Sequence, residues 1–444
     1  MRADAIAAAF ERGGLAPDAV VEKSGLFERC DALRVRLDWG PPDHALWIPG
    51  RLEVFGKHTD YAGGRTLVAA LPRGFVLLAA TPRASATGVT VADALTGEIA
   101  STSNPDRRRR RPGWAHYLDA VVRRLTRNFP GAALSAEIVL ASDLPPAAGM
   151  SSSSALVVGL ASALVQIADL QSHDAWRRNI TGPLDAAAYY ACIENGATFG
   201  DLSGDIGVGT HGGSEDHAAI LCAVPATVTA FAFVPLRLVA RAAVPSAWQF
   251  VVASSGVRAE KAGAARDAYN ALSRDANELL QLWNRHGPAA ASLGAALATD
   301  PLAETHLVEL IESSHSNRKR EALVRRLTHF VREDRRVPEA LAAFRSADVS
   351  AIAALAEASQ RDSEALLHNQ VSETVQLVAA ARRLGAIAAS AFGAGFGGSA
   401  WALVERDASP GFSARWLPAC RPACPQGATA FEASPAPSVI HLQP

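Results

Sequence analysis

The stretch Leu144-Pro-Pro-Ala-Ala-Gly-Met-Ser-Ser-Ser-Ser-Ala155 decides how the surrounding chain folds. Its two prolines end the preceding strand, Gly149 permits a backbone conformation closed to most residues, and four consecutive serines offer N-cap oxygens. The apolar run Ala155 to Leu170 is too long for one strand and predicts a buried helix. The first N–H groups of such a helix carry a partial positive charge, so the loop is a candidate phosphate cradle. An ordinary capped core helix is the alternative, because the Walker pattern is absent.

The composition sets the class of protein. A chain of 444 residues exceeds what one hydrophobic core usually serves, and 49% hydrophobic residues supply a large core, so we expect two domains. A formal net charge of −1 does not attract the protein electrostatically to nucleic acid or to an anionic membrane. Five scattered cysteines form neither a disulfide framework nor a complete zinc site. The N-terminus reads as an amphipathic helix and not as a signal peptide, so we expect a cytoplasmic protein without membrane spans.

A second polar cluster lies at the end of a predicted strand. Pro49-Gly-Arg-Leu-Glu-Val-Phe-Gly-Lys-His-Thr-Asp-Tyr-Ala-Gly-Gly64 places Lys57 to Tyr61 on a turn closed by two glycines, and extended structure resumes at Thr66. Turns are polar in any protein, so the cluster alone does not establish a ligand site. A third glycine-rich stretch, Phe392-Gly-Ala-Gly-Phe-Gly-Gly-Ser-Ala400, turns into a predicted strand.

These three stretches resemble, in the expected order, the motifs of the kinases named for galactokinase, homoserine kinase, mevalonate kinase and phosphomevalonate kinase (GHMP kinases). The stretch from Pro49 resembles the sugar signature of galactokinases in particular. The resemblance implies an α+β, two-domain GHMP kinase fold. We expect a mixed α/β N-terminal domain over 1–227, a helix-rich α+β domain over 228–407, and a proline-rich tail or edge strand over 408–444.

The resemblance also implies roles for individual residues of the sugar signature. Arg51 matches the arginine thought to steady the transferring phosphate, and Asp60 matches the aspartate that holds sugar hydroxyls. The sugar-binding set implied in this way is Lys57, His58, Asp60, Tyr61 and Gly213. Lys57 departs from the family, because galactokinases have a glutamate there that accepts a hydrogen bond from the sugar. An ammonium can only donate, so we expect Lys57 to select a different sugar, a uronic acid being one candidate. The alternative is that Lys57 points to solvent or pairs with a local acid such as Glu53.

The nucleotide site implied by the resemblance covers the phosphate loop and the third motif. Its predicted residues are Pro146, Ala147, Ala148, Gly149, Met150, Ser151, Ser152, Ser153, Ser154, Gly395 and Gly397. In the family a glutamate on the matching helix binds magnesium, so the resemblance implies Glu194, at the end of the predicted helix Leu184 to Asn195, as a ligand. Magnesium prefers few carboxylates plus phosphate oxygens, so Glu194 with Ser152 suffices as its protein ligands. A solvated helix-end carboxylate is the alternative for Glu194.

The glycine-rich segment Phe199 to His217 is too flexible for a continuous helix or strand. Compared with the family, whose turn here is shorter, the resemblance implies an insertion of about ten residues. Aligning Gly213 and the apolar residues from Ala218 places Asp216 at the family's catalytic aspartate, with Asp201, Asp205 and Glu215 as neighbouring candidates. A metal site built from His58, His211 and His217 is disfavoured by their spacing.

The sequence therefore predicts a kinase that uses ATP and Mg²⁺ to phosphorylate a sugar hydroxyl, most simply the anomeric hydroxyl of galactose or a related monosaccharide. Asp216 and Arg51 are the predicted catalytic residues. The alternatives are a kinase for another sugar or a non-sugar alcohol, and a sensor that binds ATP and sugar without turnover. We expect a small-molecule substrate, no nucleic acid, no membrane, and a monomer or weak homodimer. The five arginines Arg107 to Arg111 read as a solvated loop.

Overall fold

The computed structural model describes residues 3–83, 87–102, 113–258, 263–314, 316–420, 423–425 and 427–442. The predicted arginine loop, Arg107 to Arg111, lies outside these ranges. The sequence also predicts a helix over about Lys261 to His286, and its first two residues lie outside these ranges too. Across the described ranges, no helix combines the length and apolar character needed to cross a bilayer.

The first sheet is built mainly by the N-terminal half of the chain and is antiparallel except for one parallel pair, β3 with β5. Its strands are β1 (His44–Phe55), β2 (Arg65–Ala80), β3 (Val89–Asp93), β4 (Ile99–Ser101), β5 (Ala136–Ser142), β6 (Thr227–Ala232), β7 (Arg237–Ala243) and β12 (Ile440–Leu442). The main order is β12-β1-β2-β5-β3-β4, and the long β2 also pairs through its first residues with the hairpin β6–β7.

Both faces of this sheet are covered, because residues of β1 alternate between two apolar cores. Leu46 and Ile48 pack on one side, and Ala45 and Trp47 pack on the other. Two N-terminal helices, α1 (Ala3–Arg12) and α2 (Pro17–Arg36), cover the Trp47 side. The opposite side carries α3 (Ala115–Asn128), α4 (Ser152–Ile167), α5 (Asp174–Asn179), α6 (Pro183–Asn195) and α7 (Glu215–Cys222). The prediction of a buried helix after the serines is confirmed, since α4 is buried from Ser154 to Val165.

The second half of the chain forms a four-stranded antiparallel sheet and most of the remaining helices. Its strands are β8 (Trp248–Ser254), β9 (Ala388–Phe392), β10 (Ser399–Glu405) and β11 (Thr429–Glu432), in the order β11-β8-β10-β9. The helices are α8 (Gly263–His286), α9 (Leu293–Leu297), α10 (Ala303–Ser314), α11 (Asn317–Ser346), α12 (Val349–Asp362), α13 (Ser372–Arg383) and α14 (Ser409–Ala419). The predicted α+β class with a helix-rich second half is confirmed.

Three local expectations have different outcomes. The predicted boundary at residue 227 falls at the start of β6, whose hairpin extends the first sheet. Of the two alternatives for 408–444, the edge strand is the one that the structure has, because the segment contains α14 and two edge strands, one for each sheet. A proline suits the first position of a helix, so the sequence predicts a helix start at Pro338, but Pro338 lies within α11, which continues through it. The division into domains otherwise stays a prediction.

Candidate active site

A cavity of about 500 Å³ lies where the start of α4, the turn after β1 and the start of α7 meet. Residues far apart in the sequence converge on it. The predicted site residues that line it are Arg51, His58, Asp60, Tyr61, Pro146, Ala147, Gly149, Ser151, Ser152, Ser153, Ser154, Glu194, Gly213 and Asp216. The fold therefore brings the predicted phosphate loop, sugar signature and catalytic aspartate to one place.

The phosphate loop enters α4 through two left-handed residues. Gly149 has a φ of 73° and Ser151 has a φ of 62°. Ser151 is the N-cap residue, but its side chain makes no capping hydrogen bond, contrary to the expectation from sequence. The first N–H groups of α4 therefore have no side-chain cap from Ser151 at the cavity wall, an arrangement that suits an anion.

The third glycine motif packs directly on this loop. A Cβ on Gly393 would lie 2.7 Å from the carbonyl oxygen of Gly149, so only a residue without a side chain permits this approach. Ser399 also donates a hydrogen bond to the carbonyl oxygen of Ala148 at 2.7 Å. The third glycine motif and the phosphate loop are thus held together by this close backbone approach and by the Ser399 hydrogen bond.

Arg51 connects the phosphate loop to the start of α7. Its Nε lies 2.7 Å from Asp216 Oδ1 and 3.1 Å from Glu215 Oε1, and its Nη1 donates to the carbonyl of Gly149 at 2.7 Å. Burial alone would lower the pKa of Arg51, but the two carboxylates raise it above its ordinary value. The guanidinium is therefore a permanent positive charge beside Asp216.

Asp216 and Glu215 are adjacent carboxylates with different surroundings. Burial, and then the nearby Glu53, raise the pKa of Glu215 well above its ordinary value. Asp216 is more open to the cavity, with 18% of its side chain exposed against 6% for Glu215. Asp216 is the better placed of the two to meet a ligand hydroxyl.

The turn after β1 presents one carboxylate and a set of aromatic rings to the cavity. Asp60 Oδ2 accepts a hydrogen bond from the Glu215 backbone N–H at 3.2 Å, so the turn is tied to α7. His58 hydrogen-bonds to the Tyr61 hydroxyl at 3.0 Å and to the Ala394 carbonyl at 3.1 Å, which uses both ring nitrogens. Burial, together with Arg326, lowers the pKa of His58 to about 3, so this histidine is neutral at pH 7. Tyr269 of α8 completes the wall, 5.5 Å from His58 between ring centroids.

Glu194 lies beside a serine of the phosphate loop, but the contact is made by Ser154. Ser154 Oγ donates to Glu194 Oε2 at 2.6 Å and lies 3.1 Å from Asp216 Oδ2. His217 Nε2 is 3.2 Å from the same Glu194 oxygen. Among the described residues, no group of three or more metal-binding side chains stands ready to hold an ion by itself. One buried carboxylate with a loop hydroxyl fits Mg²⁺ only when phosphate oxygens complete its shell.

The structure contradicts the prediction that Lys57 contacts the ligand. Lys57 is fully buried and does not line the cavity. Its ammonium donates to Ser359 Oγ and Ser390 Oγ, both at 2.7 Å, in the second half of the chain. Lys57 does not pair with Glu53 either. The Glu53 carboxylate instead accepts a hydrogen bond from the Gly393 N–H at 2.6 Å.

Other residues that were predicted to bind the nucleotide lie behind the cavity wall. Ala148 and Met150 are buried and contribute backbone carbonyls, Met150 to the Arg51 N–H and Ala148 to Ser399. A Cβ on Gly395 would lie 2.3 Å from the Asn369 carbonyl oxygen, so Gly395 faces Asn369. Neither Gly395 nor Gly397 is in the lining, where Gly393 and Ala394 stand instead.

Sequence reasoning missed several residues of the cavity wall. These are Glu53, Trp114, Tyr117, Thr210 and Tyr269. The place of Glu53 in the cavity wall could have been predicted from the sequence. Residues two apart on a strand share a face, and Glu53 follows Arg51 at that spacing. The aromatic residues carried no such signal, since a ring at the start of a helix packs into a core more often than it meets a ligand.

Family profiles match three parts of the chain. The galactokinase galactose-binding signature matches residues 41–81, the GHMP kinases N terminal domain matches residues 116–192, and the GHMP kinases C terminal domain matches residues 340–416. The chain belongs to the GHMP kinase family. The matched ranges contain β1 with its turn, the phosphate loop with α4, and the third glycine motif, so the family's segments are those that form the cavity.

Two relatives of this GHMP kinase match it over most of their length. The galactokinase of Roseiflexus sp. (strain RS-1) is 29% identical over 82% of this chain and 84% of its own. The galactokinase of Streptomyces coelicolor is 27% identical over 84% of this chain and 87% of its own. Among solved structures, Lactococcus lactis galactokinase complexed with galactose has a TM-score of 0.70 at 20% identity, covering 89% of this chain and 94% of that one. L. major mevalonate kinase in complex with R-mevalonate has a TM-score of 0.54 at 15% identity, covering 90% and 99%. The structural likeness establishes the fold.

Proposed function

We propose that this GHMP kinase transfers the terminal phosphoryl group of ATP to the anomeric hydroxyl of a neutral monosaccharide such as galactose. The observation that carries the proposal is the contact of Arg51 with Asp216, 2.7 Å apart, between the start of α4 and Asp60. A phosphate held at α4 and a sugar held at Asp60 would meet at this pair. The galactose-binding signature over residues 41–81 and the galactokinase relatives support a sugar as the acceptor.

The arrangement supplies the two things that phosphoryl transfer requires, positioning and charge stabilisation. The N–H groups at the start of α4 would hold the phosphates, and Asp60 would orient the sugar. Asp216 would accept the hydroxyl proton as the sugar oxygen bonds to phosphorus and ADP leaves. Arg51, positive at any physiological pH, would offset the charge that develops on the transferring group.

Magnesium is part of the proposal, with Glu194 and Ser152 as the residues that would hold it. The ion would neutralise phosphate charge and bridge the nucleotide to the protein. Its demand for several oxygen ligands is met only with the phosphates present, which fits a loop whose hydroxyls lie beside few carboxylates, those of Glu194 and Asp216.

The lining argues for a neutral sugar over a uronic acid. Six carboxyl groups line the cavity, those of Glu53, Asp60, Asp93, Glu194, Glu215 and Asp216. Arg51 is the one lysine or arginine among the described lining residues, and two of these carboxylates already contact it. A substrate carboxylate would therefore be repelled, and Lys57 cannot compensate because it is buried outside the cavity.

Incubating the purified protein with ATP, Mg²⁺ and separate acceptors tests the proposal. We expect ADP to form in step with galactose phosphate, and kcat/KM for galacturonic acid to be at least about tenfold lower, because one repelled charge costs on the order of 1 kcal/mol or more. Faster turnover of mevalonate would assign a different acceptor. Binding of both ATP and galactose without ADP release would favour the sensor function.

The remaining expectations stay predictions. A cytoplasmic location, the monomeric or weakly dimeric state, and the lack of nucleic-acid or membrane partners rest on composition and charge alone. Sedimentation of the purified protein would measure the oligomeric state.

A further inference from the structure

A network of buried charged side chains lies behind the turn that carries Asp60, on the side away from the cavity. We call residues 56–65, between β1 and β2, the sugar turn. Helix α11 passes along this turn and places Arg326, Glu333 and Asp334 against it. Arg326 and Glu333 are almost fully buried. So many charged groups are rarely buried together without a structural or functional role.

These side chains bind the backbone of the sugar turn at both ends and in the middle. Glu333 Oε1 accepts from the Gly56 N–H at 3.1 Å and from the Lys57 N–H at 3.4 Å. Arg326 Nη2 donates to the His58 carbonyl at 2.5 Å and to the Tyr61 hydroxyl at 3.2 Å. Asp334 Oδ1 accepts from the Arg65 N–H at 2.7 Å. One helix therefore sets the path of the whole turn.

The side chain of Lys57 extends this network to two further elements. Its ammonium donates to Ser359 of α12 and Ser390 of β9, and Ser359 Oγ donates in turn to Glu333 Oε1 at 2.8 Å. Glu333 Oε2 accepts from Arg336 at 2.8 Å, and Arg336 pairs with Asp362. Residue 57 is thus fixed through both its backbone N–H and its side chain.

The charges of the network are mutually compensated. Burial alone would raise the pKa of Glu333, but Lys57 and Arg336 lower it below its ordinary value. Burial lowers the pKa of Lys57, against the opposing effect of Glu333 and Glu53. An ion pair of this kind contributes little net stability compared with apolar packing, but it fixes geometry strongly when each group is hydrogen-bonded.

We propose that Lys57 and Glu333 are positioning residues that hold the sugar turn so that Asp60 and Tyr61 face the cavity. The second half of the chain then builds part of the sugar site without touching the sugar. The kinetic part of this inference rests on the proposed sugar kinase function, whereas the structural part does not.

Comparing Lys57→Met with Lys23→Met tests the kinetic part. Lys23 is a matched control, because it too is a fully buried lysine, but its ammonium pairs with Asp143 and it lies away from the sugar turn. We expect Lys57→Met to raise KM for galactose about tenfold or more, with KM for ATP changed by less than about threefold, since small misplacements of binding groups have large effects. Lys23→Met should leave KM for galactose within about twofold.

A double variant separates positioning from stability. In Lys57→Met, Glu333 keeps Arg336 but loses one of its two compensating cations. Adding Glu333→Gln removes the carboxylate charge but keeps an oxygen that can accept the two turn N–H groups. We expect the double variant to regain most of the thermal stability that Lys57→Met loses. Its KM for galactose should stay raised, because the anchor on Ser359 and Ser390 is still missing. Recovery of both properties together would mean that Lys57 acts through stability alone and would overturn the positioning role.

Amide hydrogen exchange of a peptide that covers residues 56–61 tests the structural part without any turnover. We expect exchange at least about tenfold faster in Lys57→Met than in wild type, and unchanged exchange in Lys23→Met. If Lys57→Met does not fold, Ser390→Ala removes one acceptor without leaving a charge and should show smaller changes of the same sign. Wild-type exchange in the Lys57 and Ser390 variants would overturn the inference. Absence of sugar turnover in wild type with the expected exchange pattern would reject the proposed function only.

Discussion

Two adjacent carboxylates share Arg51 at the centre of the cavity, and their surroundings assign them different roles. Asp216 faces the cavity beside Ser154, whereas Glu215 lies deeper, near Glu53, and its pKa is raised. Neither of the other candidate acids, Asp201 and Asp205, lines the cavity, and Asp205 pairs with Arg123. Asp216 is therefore the strongest candidate for the group that accepts the hydroxyl proton.

Asp216→Asn should reduce turnover by about 10² to 10⁴, the usual contribution of a positioned general base. The substitution keeps the shape of the side chain, so dissociation constants for ATP and galactose should stay within about tenfold of wild type. Glu215→Gln is the control and should keep more than a tenth of wild-type turnover. If Asp216→Asn retained more than a tenth of wild-type turnover, Glu215 would become the candidate for the group that accepts the hydroxyl proton.

Glu194→Gln should raise the magnesium concentration needed for half-maximal turnover by about tenfold or more, because loss or misplacement of a ligand typically weakens a metal site by that factor. We expect Ser152→Ala to share this effect. Ser154→Ala should not, because the Ser154 hydroxyl already lies 2.6 Å from Glu194 and 3.1 Å from Asp216, which leaves little room for an ion. A titration of magnesium at saturating ATP and sugar measures all three. Full activity of Glu194→Gln at ordinary magnesium would remove Glu194 from the site.

At the scale of elements, the glycine-rich segment 196–213 is ordered by helices α3 and α8. Arg124 of α3 donates to the Ala197 carbonyl at 2.6 Å and to the Leu202 carbonyl at 3.3 Å. Asn270 of α8 accepts from the His211 N–H at 3.0 Å and donates to the Gly209 carbonyl at 3.1 Å. Since the end of the segment lines the cavity, these helices position part of the site.

Arg124→Met should destabilise the protein by about 3–5 kcal/mol, the usual effect of removing one partner from a buried polar and ionic network. Arg123→Met is a close control, because Arg123 and Arg124 both contact Asp205. Arg123 differs from Arg124 in having 37% of its side chain exposed. Its loss should cost about 1 kcal/mol or less. Urea unfolding measures the free energy of each variant. Equal losses in the two variants would show that burial of Arg124 does not matter to the segment.

At the scale of the whole molecule, buried titratable groups make stability depend on pH in opposite directions. The pKa of the fully buried His329 is lowered well below its ordinary value by burial and by Arg326. Its unfolded form, with a pKa of about 6.5, takes up a proton that the folded form does not, so stability is lost as the pH falls below about 6.5. Burial raises the pKa of Glu53, Asp60 and Glu215, which favours the folded state in acid. The dependence of the free energy of unfolding on pH is therefore a sum of opposing effects, and it does not report the effect of any single group.

Comparison of wild type with His329→Gln isolates one of these contributions. The free energy of unfolding of wild type should fall relative to the variant by up to about 1.4 kcal/mol per pH unit between pH 6.5 and the lower pKa of the folded state. Urea unfolding at pH 7.5, 6.5 and 5.5 measures this difference. Parallel curves for the two proteins would mean that His329 binds a proton in the folded state.

Contiguous patterns in the sequence determined the class of fold and the centre of the site. The proline-glycine-serine loop before an apolar run predicts α4 and its anion site, because conformational preference and helix polarity act over a few neighbouring residues. Arg51, Asp60 and Asp216 were predicted because the stretches that contain them resemble motifs of the GHMP kinases. Glu53 could have been added from the two-residue period of a strand.

Only the tertiary structure decided where Lys57 points and which serine meets Glu194. The serines that bind the Lys57 ammonium lie 302 and 333 residues further along the chain, and the helix that holds its turn comes from the second half of the protein. The sequence around residue 57 is the same whether the lysine faces a sugar or two buried serines. The direction of a charged side chain depends on which partners can replace its lost hydration, and folding alone brings those partners together.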